Sequence, residues 1–164
     1  MKKYFFMLFF VLFALNAPAQ NIKVVDGDSL EIDGKRIRLN GIDAPEYKQK
    51  CKNAAGKTYA CGKKSMYYVE DFIADKYVDC RCLPEKDRYE RELCECFVDG
   101  VSLNEALVSA GWAVAYRDNN YTKTEKVARE HKRGIWQGKN MRPALYRTLQ
   151  RKREKEKSSP QTLF

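Results

Sequence analysis

Residues 22–46, with the sequence IKVVDGDSLEIDGKRIRLNGIDAPE, indicate the fold most clearly. Asp-Gly turns at 26–27 and 33–34 separate three short runs typical of strands, at residues 22–25, 29–32 and 36–39. Two more strands, at 77–82 and 93–98, are predicted to pair with each other. Helices are predicted at 63–74, at 103–110 and, behind a Thr-x-x-Glu capping box, at 122–133. Five short strands and three helices indicate an α+β fold, a small barrel with helices packed on it.

The N-terminal residues have the form of a secretory signal peptide. Residues 1–19 begin with Lys2 and Lys3, continue with an apolar run and end at Ala17-Pro18-Ala19, a small-x-small cleavage site. An N-terminal anchor is the alternative, but a membrane span needs about 20 apolar residues. We therefore expect a cleaved leader, a domain over residues 20–143 and a basic tail over 144–164, with no stable membrane insertion. The location would be periplasmic or extracellular.

Basic residues are concentrated near the C terminus. The 164-residue chain has 31 basic and 22 acidic side chains, and loss of Lys2 and Lys3 lowers its formal net charge from +9 to +7. Residues 139–157 alone carry eight basic and two acidic side chains. Such a tail indicates a polyanionic partner. Docking on anionic lipid or on a protein is the alternative.

All six cysteines follow the predicted leader, which in an exported protein favours disulfides. The two Cys-x-Cys pairs can face each other in one antiparallel register, because residues i and i+2 share a face of a strand. The predicted bridges are Cys80–Cys96, Cys82–Cys94 and Cys51–Cys61. A four-thiolate zinc site is the alternative.

The candidate catalytic groups are carboxylates interleaved with arginines. The chain has a single histidine, His131, which excludes two-histidine phosphodiester cleavage and multi-histidine metal sites. His131 is predicted to lie on a helix surface. Asp26 and Asp28 flank a glycine, a second acidic turn spans residues 43–46, and Arg38 ends the preceding strand. Carboxylates and carbonyls bind hard cations such as calcium, and the planar fork of arginine matches phosphate. A phosphodiester-cleaving site fits this combination, although each motif alone also fits an ordinary turn or surface ion pair.

Five motifs, taken together, resemble the staphylococcal nuclease (thermonuclease) family. They are VVDGDSLEI at 24–32, RLNGIDAPE at 38–46, DRYEREL at 87–93, LNEALVSAGWA at 103–113 and GIW at 134–136. The resemblance implies a five-stranded OB-fold barrel with three helices. It also implies a monomeric, Ca²⁺-dependent nuclease that cleaves DNA and RNA with little sequence specificity and leaves 3′-phosphate ends. A non-catalytic OB-fold module that binds nucleic acid is the alternative, and the complete set of motif residues favours the enzyme.

The resemblance implies a role for each residue at a motif position. Two arginines would bind the scissile phosphate, a glutamate would act as general base, two aspartates and one backbone carbonyl would hold calcium, and Asp26 would be a neighbouring acid. The catalytic residues are Arg38, Glu46 and Arg91, the metal ligands are Asp28, Asp43 and Ala44, and the substrate-binding residues are Arg88, Tyr89 and Tyr116. One position departs from the family pattern D-x-Y-G-R: Glu90 replaces its glycine, which is unfavourable if the backbone there needs a positive φ.

Overall fold

The structure, a computed structural model, describes residues 19–117 and 120–158. Within these residues lie ten strands, four α-helices and one 3-10 helix at Gly134–Gln137. In chain order the strands and α-helices are β1 (Ile22–Asp26), β2 (Ser29–Ile32), β3 (Lys35–Leu39), β4 (Ile42–Asp43), β5 (Cys51–Lys52), β6 (Thr58–Tyr59), α1 (Cys61–Ile73), β7 (Val78–Lys86), β8 (Glu92–Val98), β9 (Val101–Ser102), α2 (Leu103–Ser109), β10 (Val114–Ala115), α3 (Thr122–Glu130) and α4 (Pro143–Ser158).

Five strands form the main sheet in the order β1-β2-β3-β8-β7, with the short β9 paired to β8. The pairs β1–β2, β2–β3 and β7–β8 are antiparallel, whereas β3 and β8 are parallel. Over the described residues the sheet stays open between β1 and β7. The predicted α+β class is confirmed, and the strand order is OB-like, an architecture that is often only partly closed.

The core lies between the sheet, α1 and α2. Leu30 and Leu39 point inward from neighbouring strands and are at most 1% exposed, because alternate strand residues share one face. Val69 of α1 and Leu107 of α2 pack against them, both fully buried. α2 begins at Leu103, as predicted, and Ser102 is its cap residue: the Ser102 Oγ accepts a hydrogen bond from the Glu105 N–H at 3.2 Å. This core holds the strand ends that carry the candidate site.

The C-terminal helices differ from the sequence prediction. The predicted capping box is wrong, since Tyr121 is the cap residue of α3 and makes no side-chain capping bond. Glu125 is buried instead and accepts a hydrogen bond from Ala115 N–H at 2.6 Å. A buried carboxylate needs such partners more than an exposed helix end does. α3 ends at Glu130, earlier than predicted, and α4 is a fourth helix that the sequence analysis did not predict.

The three disulfides are confirmed, with every cysteine paired. The two bridges of the β7–β8 hairpin join directly opposite residues, with Cα–Cα distances of 4.0 Å. The third closes the loop before α1, with a Cα–Cα distance of 5.5 Å. These bridges exclude the zinc alternative and point to an oxidising, extracellular type of compartment. In the described parts of the chain, no helix combines the length and apolar character that crossing a membrane requires.

Candidate active site

Two of the predicted carboxylates are buried at adjacent strand ends. Asp28 lies in the β1–β2 turn, directly before β2, and is 6% exposed, and Asp43 ends β4 and is 1% exposed. The Ala44 N–H donates to Asp28 Oδ2 at 2.7 Å, which ties the two acidic segments together. Glu46 lies in the following loop and keeps about a third of its side chain exposed. Burial of two acids this close requires compensating positive charge.

Arg38 supplies part of that charge. The β2–β3 register pairs Arg38 with Ser29, so its guanidinium lies beside the preceding residue, Asp28. Arg38 Nη1 is 2.8 Å from Asp28 Oδ2, and Nη2 is 3.4 Å from Asp43 Oδ1. The same group donates to the Ile42 carbonyl at 3.0 Å. Arg38 therefore bridges the two buried carboxylates.

Arg91 reaches the same region from the β7–β8 loop. The parallel pairing of β3 with β8 sets Arg38 opposite Leu93, close to Arg91 in the chain. Asp87 holds Arg91 by contacts of 2.8 Å to Nε and 2.6 Å to Nη2. Arg91 Nη1 donates to Ser29 Oγ at 3.1 Å, and this hydroxyl donates to Asp28 Oδ1 at 3.1 Å. Ser29 is not among the site residues predicted from the sequence. Its position next to Asp28 is the only sequence signal that it could belong to the site.

A third arginine at the site comes from the predicted basic tail. Arg147 of α4 contacts both oxygens of Asp43, with Nη1–Oδ1 at 2.8 Å and Nη2–Oδ2 at 3.0 Å. Its Nη1 also donates to Glu46 Oε1 at 2.8 Å. In the sequence, Arg147 is one of eight basic residues between positions 139 and 157, and it is not predicted to belong to the site. No local pattern distinguishes it, since its partners lie about a hundred residues earlier.

The predicted catalytic and metal-binding side chains thus lie on one hydrogen-bonded path. It alternates donor and acceptor groups in the order Arg91, Ser29, Asp28, Arg38, Asp43, Arg147, Glu46. Glu46 is joined to this path by Arg147, whereas Arg38 contacts Asp28 and Asp43 directly and Arg91 joins the path through Ser29. The general-base candidate is therefore engaged by a different arginine from the two that the resemblance assigns to the phosphate.

The predicted substrate-binding residues lie at the exposed edge of this site. Tyr89 is 54% exposed, and the Arg88 guanidinium lies 4.8 Å from its ring centroid. Tyr116 is 41% exposed, and its N–H donates to the Gly41 carbonyl at 2.9 Å, beside the strand that carries Asp43. Exposed aromatic faces next to guanidinium groups suit stacking on bases and contact with phosphates.

Burial and mutual repulsion shift the pKa values of this acidic cluster. Desolvation, followed by the charge of Asp28, raises the pKa of Asp26 to about 7. Burial also raises the pKa of Asp28 above its ordinary value, although Arg38 opposes the shift. Burial alone would lower the pKa of Arg147, but hydrogen bonds to Asp43 and Glu46 outweigh it and raise that pKa. The shifts at Asp26 and Asp28 show that burial disfavours the ionised form of both carboxyls more than their neighbours stabilise it.

The donor set fits a hard divalent cation such as calcium. Asp28 and Asp43 offer carboxylate oxygens as ligands. The contact of Asp43 with the positively charged Arg147 guanidinium shows that a cation can bind at this carboxylate. The carboxylates are spread along arginine bridges rather than gathered around one point. Among the described residues, three potential ligand atoms lie within 4.8 Å of one another at Cys82, Glu92 and Cys94. Two of these atoms are disulfide sulfurs, so that grouping is not a thiolate metal site.

Comparison with known proteins identifies the family. Residues 36–138 match the family of staphylococcal nuclease homologues, and the chain belongs to this family. Family membership supports a nuclease that acts on nucleic acids, and it agrees with the OB-like sheet. Proteins of this family generally use Ca²⁺.

Relatives from three bacteria carry names that agree in part. The chain is 37% identical over 118 residues to "Succinoglycan biosynthesis protein ExoI" of Rhizobium meliloti, covering 69% of this chain and 61% of the relative, which is less than two thirds of its length. It is 32% identical over 149 residues to an "Uncharacterized endonuclease" of Escherichia coli O157:H7, covering 83% and 90%. A Haemophilus influenzae protein of the same name is 30% identical over 136 residues, covering 77% and 70%.

Proposed function

We propose that the chain is an exported, Ca²⁺-dependent nuclease that hydrolyses phosphodiester bonds of DNA and RNA with little sequence specificity and leaves 3′-phosphate ends. The observation that carries this proposal is the path joining Arg91 to Asp28 through Ser29, and Arg38 to both Asp28 and Asp43. Two guanidinium groups and two buried carboxylates on one hydrogen-bonded path suit the binding of a phosphate together with a cation. The relatives named as endonucleases support the same reaction class.

Asp28, Asp43 and the Ala44 carbonyl would hold the calcium ion. When bound, the ion supplies Lewis-acid neutralisation of the charge on the phosphate oxygens. Burial of both aspartates keeps water from competing as a ligand and strengthens their electrostatic attraction for a cation. The alanine side chain is compatible with this role because only its backbone oxygen would be used.

The protein groups would divide the chemical step between them. Glu46 would accept a proton from the attacking water, whose oxygen forms a bond to phosphorus while the bond from phosphorus to the 5′ oxygen breaks. The departing 5′ oxygen takes a proton from solvent. Arg38 and Arg91 would donate hydrogen bonds to the phosphate oxygens and stabilise the charge of the transition state. General-base help contributes about 10²–10⁴-fold, and one transition-state donor about 10²–10³-fold.

Asp87 would act as a positioning residue for Arg91. Its Oδ2 contacts Arg91 Nε at 2.8 Å, and its Oδ1 accepts the Arg91 N–H at 3.0 Å. The loop is therefore ordered around the guanidinium before substrate arrives. Preorganised donors are worth more than flexible ones because they need no reorganisation during the reaction.

Digestion of plasmid DNA and of RNA, with calcium and then with a chelator, tests the proposal. Glu46→Gln and Arg91→Ala should each lower the rate by about 10²–10³-fold while the fold is retained. Arg153→Ala, an exposed position on α4, is the matched control and should cut at the native rate. Cutting that persists in chelator would contradict the metal role. Nucleic-acid binding without any cutting would identify the non-catalytic module instead.

Export and oligomeric state are part of the same proposal. The three disulfides support an oxidising compartment, periplasmic or extracellular, and the leader predicted at residues 1–19 would be removed on the way. Residues 1–18 lie outside the described part of the chain. N-terminal sequencing of the secreted protein should begin at Gln20. We propose that the mature chain acts as a monomer without stable membrane insertion.

A further inference from the structure

Arg147 occupies the carboxylates that the proposed mechanism needs. Both oxygens of Asp43 are in contact with its guanidinium, at 2.8 and 3.0 Å, and Glu46 Oε1 is a third contact at 2.8 Å. A cation bound to either Asp43 oxygen would lie beside this guanidinium and be repelled by it. While Glu46 Oε1 accepts the Arg147 hydrogen bond, that oxygen is occupied and does not face an attacking water. This contact and the proposed reaction therefore oppose each other.

The charges around Asp43 match a divalent cation only when Arg147 is absent. Asp28, Asp43 and Glu46 carry three negative charges against the positive charges of Arg38 and Arg147, a net charge of −1. Without Arg147 the net charge becomes −2. The singly charged Arg147 guanidinium thus lies where a doubly charged ion would complete the neutralisation, and the binding of either cation disfavours the binding of the other.

The attachment of α4 allows Arg147 to leave without disturbing the domain. The segment just before the helix is fixed, because Gln49 Nε2 donates to the Met141 carbonyl at 2.9 Å and Asn140 exchanges hydrogen bonds with Lys52. Pro143 is the only buried residue of α4, and each of residues 151–158 is exposed to solvent. Beyond the first turn of α4, Arg147 makes the ion pairs with the site, and Tyr146, Leu149 and Gln150 are partly buried.

We propose that Arg147 is an intramolecular occupant of the metal site, so that calcium and Arg147 compete for Asp43 and Glu46, and that calcium binding releases α4 from the domain. The inference rests on the proposed calcium site. In the absence of calcium, α4 then shields the general base, Glu46, and one metal ligand, Asp43, and this is the closed state of the protein. The apparent calcium affinity is then lower than the intrinsic one by the fraction of molecules in which α4 is released.

Calorimetric titration of the full chain with calcium alone tests the competition. Arg147→Ala should bind calcium roughly tenfold more tightly than the unaltered protein, a difference of about 1.4 kcal/mol, since calcium no longer has to displace the partly exposed guanidinium. Arg153→Ala removes the same charge from the same helix and should bind as the unaltered protein does. Equal or weaker calcium binding by Arg147→Ala would overturn the competition.

Amide hydrogen exchange along α4 gives a second measurement that does not depend on activity. A helix of this length is marginally stable without tertiary contacts, so its release should speed exchange. Saturating calcium should accelerate exchange over residues 147–158 by roughly tenfold. In Arg147→Ala the exchange should already be fast without calcium. Exchange rates that calcium leaves unchanged in the unaltered protein would overturn the release of α4.

One further variant separates this inference from the proposed function. Asp43→Asn removes the carboxylate that both cations are proposed to use. If it binds calcium as the unaltered protein does, the metal site itself is wrong. If it loses calcium binding while Arg147→Ala shows unchanged affinity, the metal site stands and the competition alone is wrong.

Discussion

Replacement of Glu90 by glycine should stabilise the protein. Glu90 has φ of 61°, in the left-handed region, within the tight turn that orders Arg91. Its N–H bonds to the Asp87 carbonyl at 3.0 Å, and Asp87 N–H bonds to the Arg91 carbonyl at 3.0 Å, so neighbouring bonds enforce this conformation. A residue with a Cβ loses about 1–2 kcal/mol in this region, whereas glycine adopts it freely.

The expected gain is smaller than that cost. Glycine also has more conformational freedom in the unfolded chain, which offsets about 0.5–1 kcal/mol. The Glu90→Gly variant should therefore gain about 0.5–1 kcal/mol in free energy of unfolding, measured by urea denaturation in the presence of chelator. At about 1 kcal/mol the melting temperature would rise by about 3 °C for a chain of this size.

Glu90→Ala is the matched control for this prediction. It removes the carboxylate but keeps the Cβ, so any effect of charge beside Asp87 appears in both variants. The alanine variant should lie within about 0.5 kcal/mol of the unaltered protein, as exposed substitutions usually do. A gain by alanine as large as that of glycine would refute the backbone explanation.

Three further predictions concern other parts of the molecule. Because the folded pKa of Asp26 is about 7, above the ordinary value of 3.8, its stabilising contribution is fully present below about pH 4 and is lost as the pH rises through 7. In chelator, Asp26→Asn should therefore gain about 3–4 kcal/mol in urea denaturation at pH 8 and much less at pH 4, and equal gains at both would contradict the burial argument. Replacing Cys51 and Cys61 together by alanine opens a loop of sequence separation 10 and should lower the free energy of unfolding by about 3 kcal/mol, again by denaturation; no loss would mean that the loop is equally restricted without its bridge. Replacing Arg151, Lys152 and Lys155 by glutamine, in a Glu46→Gln background that binds without cutting, should reduce the salt dependence of DNA affinity by about 0.7–0.9 in log–log slope for each phosphate that the protein no longer neutralises. An unchanged slope would show that these basic residues of α4 do not contact nucleic acid.

Much of the sheet could be predicted from local pattern. The three strands of residues 22–39 follow from alternation and Asp-Gly turns, and the register of β7 with β8 follows from the spacing of Cys80, Cys82, Cys94 and Cys96. These signals are local or involve two nearby segments, so the sequence carries them directly. The boundaries differ by a few residues where the β7–β8 hairpin is irregular near its loop.

The contacts around Glu125 show where local reasoning fails. Its position three residues after Thr122 fits a capping box, but the carboxylate contacts Ala115 N–H, Arg129 and Arg142. Arg142 contacts Glu125 because the chain after α3 turns back toward that helix. The periodicity of apolar residues along a helix carries no information about such a turn. Burial of the carboxylate made these partners more favourable than an exposed helix end.

Local spacings in the sequence predict the short strands, the disulfide pairs and the acidic and arginine motifs, because backbone geometry converts short spacings into neighbours, whereas the OB-fold is implied by the resemblance to the family. The link from Arg91 to Asp28 through Ser29, and the contact of Arg147 with Asp43, 104 residues earlier in the chain, follow only from the tertiary structure. A run of basic residues has the same appearance in a sequence whether it is solvated or docked. A basic side chain of such a run binds where the fold has placed buried carboxylates that need a positively charged partner, as Arg147 does at Asp43.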